Sequence, residues 1–191
     1  MQLISRRLML AAGTVAMAAA TRKPAVAEEL DAIDKVLRLT EPPQPPPEGI
    51  VFTAANGSEH RLSEFAGHGM VINLWATWCM PCVAEMPALS VLAKRLGPKD
   101  VAVLPLSSDH GGAAAVQRFF DRHDIAALPV LLDPGGAAAR AFAVRGIPTT
   151  IIIDRAGRER GRVEGAADWA SDETVARVLA LVEPEAPLAK P

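Results

Sequence analysis

The sequence predicts an α/β fold in which helices cover both faces of a central mixed sheet. Three observations support this prediction. Half of the 191 residues are hydrophobic, and no internal repeat is visible, which suits one ordinary domain with a real core. Apolar runs of strand length alternate with stretches whose apolar residues recur at helical spacing. The alternation ends in two short extended runs around a turn, as expected for a mixed sheet completed by a β-hairpin.

The first 27 residues are predicted to be an export signal. Arg6 and Arg7 follow Ser5 and precede a weakly apolar run over residues 8–20, which is too short to span a bilayer. The paired arginines resemble a twin-arginine signal, and small residues at 25–27 fit cleavage after Ala27. We therefore expect a periplasmic protein. An ordinary secretory signal, or an uncleaved signal that anchors the protein in the membrane, remains an alternative.

The charge balance argues against a nucleic-acid partner. Residues 1–27 carry four basic side chains and no acid, so their removal leaves 16 basic and 22 acidic side chains, a net charge of −6. A mildly acidic body of this kind has no basic stripe with which to meet phosphates.

Residues 28–48 are predicted to precede the folded domain. Leu30, Ile33 and Leu37 would share one helical face, which predicts a short helix or a loose spacer. The nine residues "EPPQPPPEG" contain five prolines and predict an extended polyproline spacer. The domain is therefore expected over residues 49–183, and the tail over 184–191 is expected to be unstructured.

The elements of the domain are predicted in chain order from their patterns. A hairpin should turn at Asn56 and Gly57, between "GIVFTA" and "HRL". The apolar run "MVINLW" predicts a buried strand, and the apolar stripe of "AEMPALSVLAKRL" predicts a helix that Gly97 and Pro98 end. The remaining predicted elements are the strand "VAVLPLS", a helix over 113–123, the strand "PVLLD", the short helix "GAAARAFAV", the strand "TTIIID", the turn "DRAG", the strand "RERGRVEG" and a helix over 172–182.

Cys79 and Cys82 are the only two cysteines of the chain. A purely structural bridge across two residues would gain little, because the loop that it closes is short. A structural zinc site usually needs four ligands, and the chain offers one cysteine pair and four scattered histidines. If the helix begins near Met80, Cys79 lies at a helix amino terminus, where unpaired N–H groups stabilise a thiolate. This pattern favours a reaction centre, with Cys79 exposed, Cys82 more buried, and Trp78 offering a flat apolar contact.

The segment "NLWATWCMPCVAEMP" resembles the active site of thioredoxin-fold proteins, and most closely the exported TlpA/ResA/CcmG-like branch. The resemblance covers about residues 49–182 and includes "RGIPTT" at 145–150. It implies a three-layer sandwich around a mixed sheet of four or five strands. It also implies an extra βα unit, which the segments from "VAVLPLS" to "PVLLD" can supply.

The same resemblance implies roles for particular residues. Cys79 would be the nucleophile and Cys82 the resolving thiol. Pro148 would be a cis proline that faces the sulfurs, and its neighbour Ile147 would offer its backbone to an extended substrate strand. Glu85 would be a partly buried carboxylate that accepts the proton of Cys82, although a solvated glutamate on the helix face is the alternative. Asn73 stands where thioredoxin carries a buried aspartate, which makes this role of Glu85 more plausible.

The resulting hypothesis is an exported thiol–disulfide oxidoreductase that reduces protein disulfides with no metal and no organic cofactor, only the Cys79–Cys82 redox pair. The Cys-Met-Pro-Cys motif resembles the reducing members. The resemblance implies apocytochrome c or copper-site assembly proteins as substrates, and a membrane electron donor of the CcdA or DsbD type. A copper-binding chaperone for oxidase assembly remains an alternative. A thiol peroxidase is disfavoured, because the residues before Cys79 lack the proline and the hydroxyl residue at the positions that its motif needs.

Overall fold

The computed structural model describes residues 31–184 of the chain. Within this range the chain folds as one alternation of strands and helices. In chain order the elements are α1 Ile33–Val36, β1 Leu37–Gln44, β2 Val51–Ala54, β3 Glu59–Arg61, β4 Gly69–Trp75, α2 Met80–Leu96, β5 Val101–Ser107, α3 Gly112–Arg122, β6 Leu131–Leu132, α4 Ala137–Ala141, β7 Thr149–Ile153, β8 Glu159–Glu164 and α5 Asp172–Val182.

All eight of these strands join one mixed sheet in the order β1-β8-β7-β4-β5-β6-β2-β3. Strands β4, β5 and β6 run parallel to one another, whereas β7 and β8 continue the sheet antiparallel on the other side of β4. The helix α3 makes the crossover between the parallel neighbours β5 and β6. The α/β prediction with helices on both faces is thus confirmed.

The strand β4 is the centre of the molecule, and every one of its residues is buried. Its side chains alternate between two apolar clusters, as the pleat requires. Val71 and Trp75 face the cluster that α2, α3 and α5 complete, whereas Ile72 and Leu74 face the cluster formed with α4 and the β2–β3 hairpin. Because Asn73 lies between Ile72 and Leu74 in the alternation, this polar residue points to the α2 side.

The start of the proline-rich segment lies in a strand, which corrects the prediction that residues 28–48 precede the folded domain. Leu37–Gln44 forms β1 and pairs antiparallel with β8, whereas residues 45–49 follow outside any strand. Pro42 and Pro43 are tolerated within β1 because it is an edge strand, and because the regular pairing stops after Leu39 and resumes only at Gln44. A Cβ on Gly161 of β8 would lie 2.9 Å from the carbonyl oxygen of Arg38, so the close approach of the two strands requires glycine there.

The folded unit therefore begins before residue 49. Ile33, in the one-turn helix α1, is fully buried in the larger apolar cluster. The predicted sheet of four or five strands is also corrected to eight, because β1 adds to one edge and the β2–β3 hairpin adds to the other. The hairpin itself turns at Gly57 as predicted, and the last helix spans the predicted residues.

Three sequence-based predictions lie outside the described residues: the export signal, its cleavage after Ala27, and nearly all of the unstructured tail. Among residues 31–184, no helix is both long and apolar enough to cross a membrane.

Candidate active site

Cys79 and Cys82 are joined by a disulfide at the start of α2. Cys79 is the N-cap residue of this helix, and its Sγ accepts a hydrogen bond from the backbone N–H of Cys82 at 3.3 Å. This amide at the helix start has no partner within the helix and donates to the sulfur instead, and the helix dipole adds to its effect. In the reduced protein, both would favour the thiolate of Cys79.

The burial of the two sulfurs partly corrects the prediction. Cys79 was expected to be exposed, but in the disulfide form its exposed fraction is 7%, whereas Cys82 is fully buried. The predicted order holds, with Cys82 the more buried residue. Cys79 is covered because it is bonded to Cys82 and because its Sγ lies 3.6 Å from the carbonyl oxygen of Ile147.

The loop before Cys79 is held by Asp109, which sequence reasoning missed. The Asp109 carboxylate accepts hydrogen bonds from the Thr77 backbone N–H at 2.8 Å and from the Thr77 hydroxyl at 2.6 Å. Ser107, at the end of β5, donates a third at 2.6 Å. Because β5 neighbours β4 in parallel, Asp109 lies beside the end of β4 where the cysteine loop begins. The parallel pairing of these two strands was the one signal that could have placed Asp109 there.

The segment that carries Pro148 closes the other side of the disulfide. The Ile147–Pro148 peptide bond is cis, as the resemblance implies, and the carbonyl of Ile147 faces Cys79. Trp78 and Met80 flank Cys79 with exposed fractions of 63% and 76%. Large apolar side chains are thus presented to solvent next to a reactive bond, an arrangement suited to a docking protein chain.

Glu85 lies one helical turn beyond Cys82, and its side chain is fully buried. This position excludes the alternative of a solvated residue on the helix face. Three donors converge on its carboxylate: Asn73 Nδ2 reaches Oε1 at 2.9 Å, while the Ala167 backbone N–H and the Trp169 indole N–H reach Oε2 at 3.1 and 2.7 Å. Asn73 also donates to the Thr150 hydroxyl at 2.8 Å.

The electrostatic balance at Glu85 is dominated by burial. Loss of hydration raises the pKa of Glu85 from 4.5 to about 7, although its hydrogen bonds to Trp169, Ala167 and Asn73 each lower it. A carboxyl with this pKa can take up and release a proton near neutral pH, which an ordinary surface glutamate cannot do. Asn73 is buried beside it, in the strand position where the resemblance places an aspartate.

Sequence reasoning found Asn73 but missed Ala167 and Trp169. These two residues lie 82 and 84 positions after Glu85, in the segment between β8 and α5. No spacing rule links residues so distant in the chain. The unusual feature that could have drawn notice is a tryptophan in a polar connection, just before the predicted helix start at Asp172.

The histidines form no shared site in the part of the chain that the structure describes. His60 bonds to Ser58 and Glu64, and His68 bonds to Asp100. Within residues 31–184, no group of three or more His, Cys, Asp or Glu side chains is arranged to hold a metal ion.

Comparison with known proteins places this geometry among redox proteins. Residues 34–179 match the Redoxin family. The thiol-disulfide oxidoreductase ResA of Geobacillus kaustophilus is 31% identical over 135 residues, which cover 71% of this chain and 75% of that protein. Among solved structures, a thiol:disulfide interchange protein of the thioredoxin family from Chlorobium tepidum has a TM-score of 0.62 and 22% identity, covering 75% of this chain and 99% of its own.

A second solved structure is a secreted disulfide oxidoreductase of Mycobacterium tuberculosis that is homologous to DsbE of E. coli. It has a TM-score of 0.59 and 25% identity, and the match covers 69% of this chain and 96% of its own. These likenesses confirm the thioredoxin-like fold.

Proposed function

Since this chain belongs to the Redoxin family and is a thiol–disulfide oxidoreductase similar to ResA, we propose that it is an exported reductase of protein disulfides. One observation supports this proposal above the others. Glu85 is a fully buried carboxylate one turn from the buried sulfur of Cys82, and burial raises the pKa of Glu85 to about 7. A dithiol that must form a disulfide has to lose a proton from its second thiol, and Glu85 is suited to accept it.

The proposed reaction proceeds in two exchanges. The thiolate of Cys79 attacks one sulfur of the substrate disulfide, so that a mixed disulfide forms and one substrate thiolate leaves. Cys82 then transfers its proton to Glu85 and attacks the sulfur of Cys79. The mixed disulfide breaks, the second substrate thiolate leaves, and the protein is left with the Cys79–Cys82 disulfide. Two electrons have passed to the substrate, and no metal or organic cofactor takes part.

Substrate docking is proposed to use the surface around the disulfide. The exposed side chains of Trp78 and Met80 would contact the substrate chain. The backbone of Ile147, beside Pro148, would pair with an extended strand of the substrate. We propose apocytochrome c or copper-site assembly proteins as the substrates, and a membrane donor of the CcdA or DsbD type as the source of electrons. The resemblance to the TlpA/ResA/CcmG-like branch suggests these substrates. A reductant outside the cytoplasm must also be recharged, which suggests the membrane donor.

Covalent trapping in cells tests this proposal. Cys82→Ser should accumulate mixed disulfides with extracytoplasmic proteins, because Cys79 still attacks and nothing resolves the product. Cys79→Ser is the matched control and should trap little. Partners identified by mass spectrometry would name the substrate class: apocytochromes indicate haem attachment, and oxidase-assembly proteins indicate copper-site maturation.

Three results would contradict the proposal. A better trap in Cys79→Ser would reverse the roles of the two cysteines. Cytoplasmic partners would contradict export. If neither variant captured a protein and both lost stoichiometric copper binding, the reductase would give way to a copper-binding chaperone.

A further inference from the structure

The indole of Trp169 makes the shortest of the three hydrogen bonds to Glu85. Its Nε1–H donates to Oε2 at 2.7 Å, compared with 3.1 Å for the backbone N–H of Ala167 and 2.9 Å for Asn73. Trp169 is fully buried and belongs to the same apolar cluster as Cys79 and Cys82. The side chain of Trp169, from the segment between β8 and α5, thus reaches the Glu85 carboxylate behind the cysteines.

The segment that carries Trp169 is tightly held. The carbonyl of Asp168 accepts a hydrogen bond from the Thr174 hydroxyl at 2.7 Å, and the Asp168 backbone N–H donates to the carbonyl of Asp31 at 3.0 Å. The first of these bonds ties the segment to α5, and the second ties it to the residues before α1. Both bonds hold the backbone directly before the indole.

All three partners of Glu85 are donors in their observed orientation. Donors stabilise an ionised carboxylate and offer nothing to the proton of a neutral acid, so they oppose the effect of burial. Of the three, the Trp169 bond lowers the pKa of Glu85 the most. Without it, the balance between burial and the two remaining donors would shift towards the protonated acid, which cannot accept another proton.

We infer that Trp169 is a positioning residue that acts through Glu85, because its indole N–H stabilises the ionised form of that carboxylate. The inference rests on the proposed function, in which the ionised Glu85 receives the proton of Cys82. In the proposed mechanism, Trp169 neither attacks a disulfide nor accepts the proton of Cys82.

No charged side chain among residues 31–184 pairs with Glu85, so the uncharged donors are its only direct partners there. On the elements packed around it, three charged groups are engaged elsewhere: Asp168 accepts from the Ala170 N–H, Arg95 of α2 pairs with Asp172 of α5, and Arg177 of α5 pairs with Asp34 of α1. Cys79 and Cys82 do not titrate while they are joined.

The simplest competing interpretation is that Trp169 only fills space. Trp75 provides the control for it. Trp75 is also fully buried in the same cluster, but its indole Nε1 has no hydrogen-bond partner among the described residues. Trp75→Phe and Trp169→Phe therefore remove similar volume from one core, yet only the second removes a bond to Glu85.

The test is the titration midpoint of Glu85 in the oxidised, mature protein. The side-chain carboxyl carbon of ¹³C-labelled glutamate reports it directly, and Glu85→Gln assigns the signal. In Trp169→Phe the midpoint should rise by about 1–2 pH units, the shift expected from losing one hydrogen bond to a charged group. In Trp75→Phe it should stay at the parent value. An unchanged midpoint in Trp169→Phe, or equal shifts in both variants, would overturn the inference.

A second measurement needs no substitution at Trp169. In ¹H–¹⁵N spectra of the parent protein, the indole signal of Trp169 should move with pH at the midpoint of Glu85, and this movement should vanish in Glu85→Gln. An indole signal that ignores the titration would overturn the inference even if Trp169→Phe failed to fold. The rate of mixed-disulfide resolution is a separate readout: a rate profile that does not follow the Glu85 midpoint would contradict the proposed function alone.

Discussion

Glu85 combines complete burial with three hydrogen bonds that all favour its charged form. These opposing effects leave the pKa of Glu85 at about 7, so that small changes in its surroundings decide whether it is ionised at neutral pH. A group balanced in this way is useful when a proton must be taken from Cys82 in one exchange and returned to solvent before the next.

The balance at Glu85 predicts a pH dependence of stability. A carboxyl that binds its proton more tightly in the folded than in the unfolded protein destabilises the fold progressively as the pH rises between its two pKa values. For Glu85 that window runs from 4.5 to about 7. The oxidised parent should lose about 3 kcal/mol of unfolding free energy across this window from this one group, and Glu85→Gln should lack that loss.

Urea unfolding of the oxidised parent and of Glu85→Gln between pH 4 and 8 measures the difference. Parallel stability curves for the two proteins would show that Glu85 does not titrate in this range.

Glu85→Gln should also slow the resolution of a mixed disulfide by about 10²–10⁴-fold, the usual contribution of a well-placed base.

The strand β1 and the residues just before it mark where the folded domain begins. Ile33, just before it, is fully buried, whereas Leu39 within it is 46% exposed. Thr40 of β1 also donates to the carboxylate of Glu159 in β8 at 2.9 Å. The residues from Ile33 to the end of β1 are thus held by apolar contact, by strand pairing and by a side-chain bond.

Alanine substitutions before and within β1 test whether these residues belong to the folded domain. Ile33→Ala should lower the free energy of unfolding by about 2–4 kcal/mol, because it leaves a cavity in the main core. Leu39→Ala, the control, should change it by less than about 0.5 kcal/mol. Chemical unfolding of the protein gives both values, and a negligible effect of Ile33→Ala would restore the spacer interpretation.

The elements that sequence patterns predicted well are those whose packing is encoded locally. The buried run of β4, the apolar stripe of α2 and the apolar face of α5 each follow from a local pattern. The strand β1 could not be predicted this way. Pro42 and Pro43, the first two of five prolines in nine residues, argue against a strand unless it is known to lie at an edge with a break in its pairing, and that knowledge comes only from the assembled sheet.

At the scale of the whole molecule, the site is built where distant segments converge on one end of β4. The cysteine loop follows β4, Asp109 follows β5, Pro148 precedes β7, and Trp169 follows β8. The motif and the resemblance located the cysteines, Glu85 and Pro148. They could not locate Asp109 or Trp169, because those residues meet the motif only through strand order and helix packing, neither of which leaves a trace in local spacing.

If the protein is a disulfide reductase, its Cys79–Cys82 pair transfers electrons to protein disulfides without a metal. A single-turnover reaction of the reduced protein with insulin, in the presence of a strong chelator, tests it most directly. Each protein molecule should reduce one insulin disulfide and end with Cys79 and Cys82 joined, while Cys79→Ser should be inactive. No transfer to insulin, together with stoichiometric copper binding that requires both thiols, would contradict the claim.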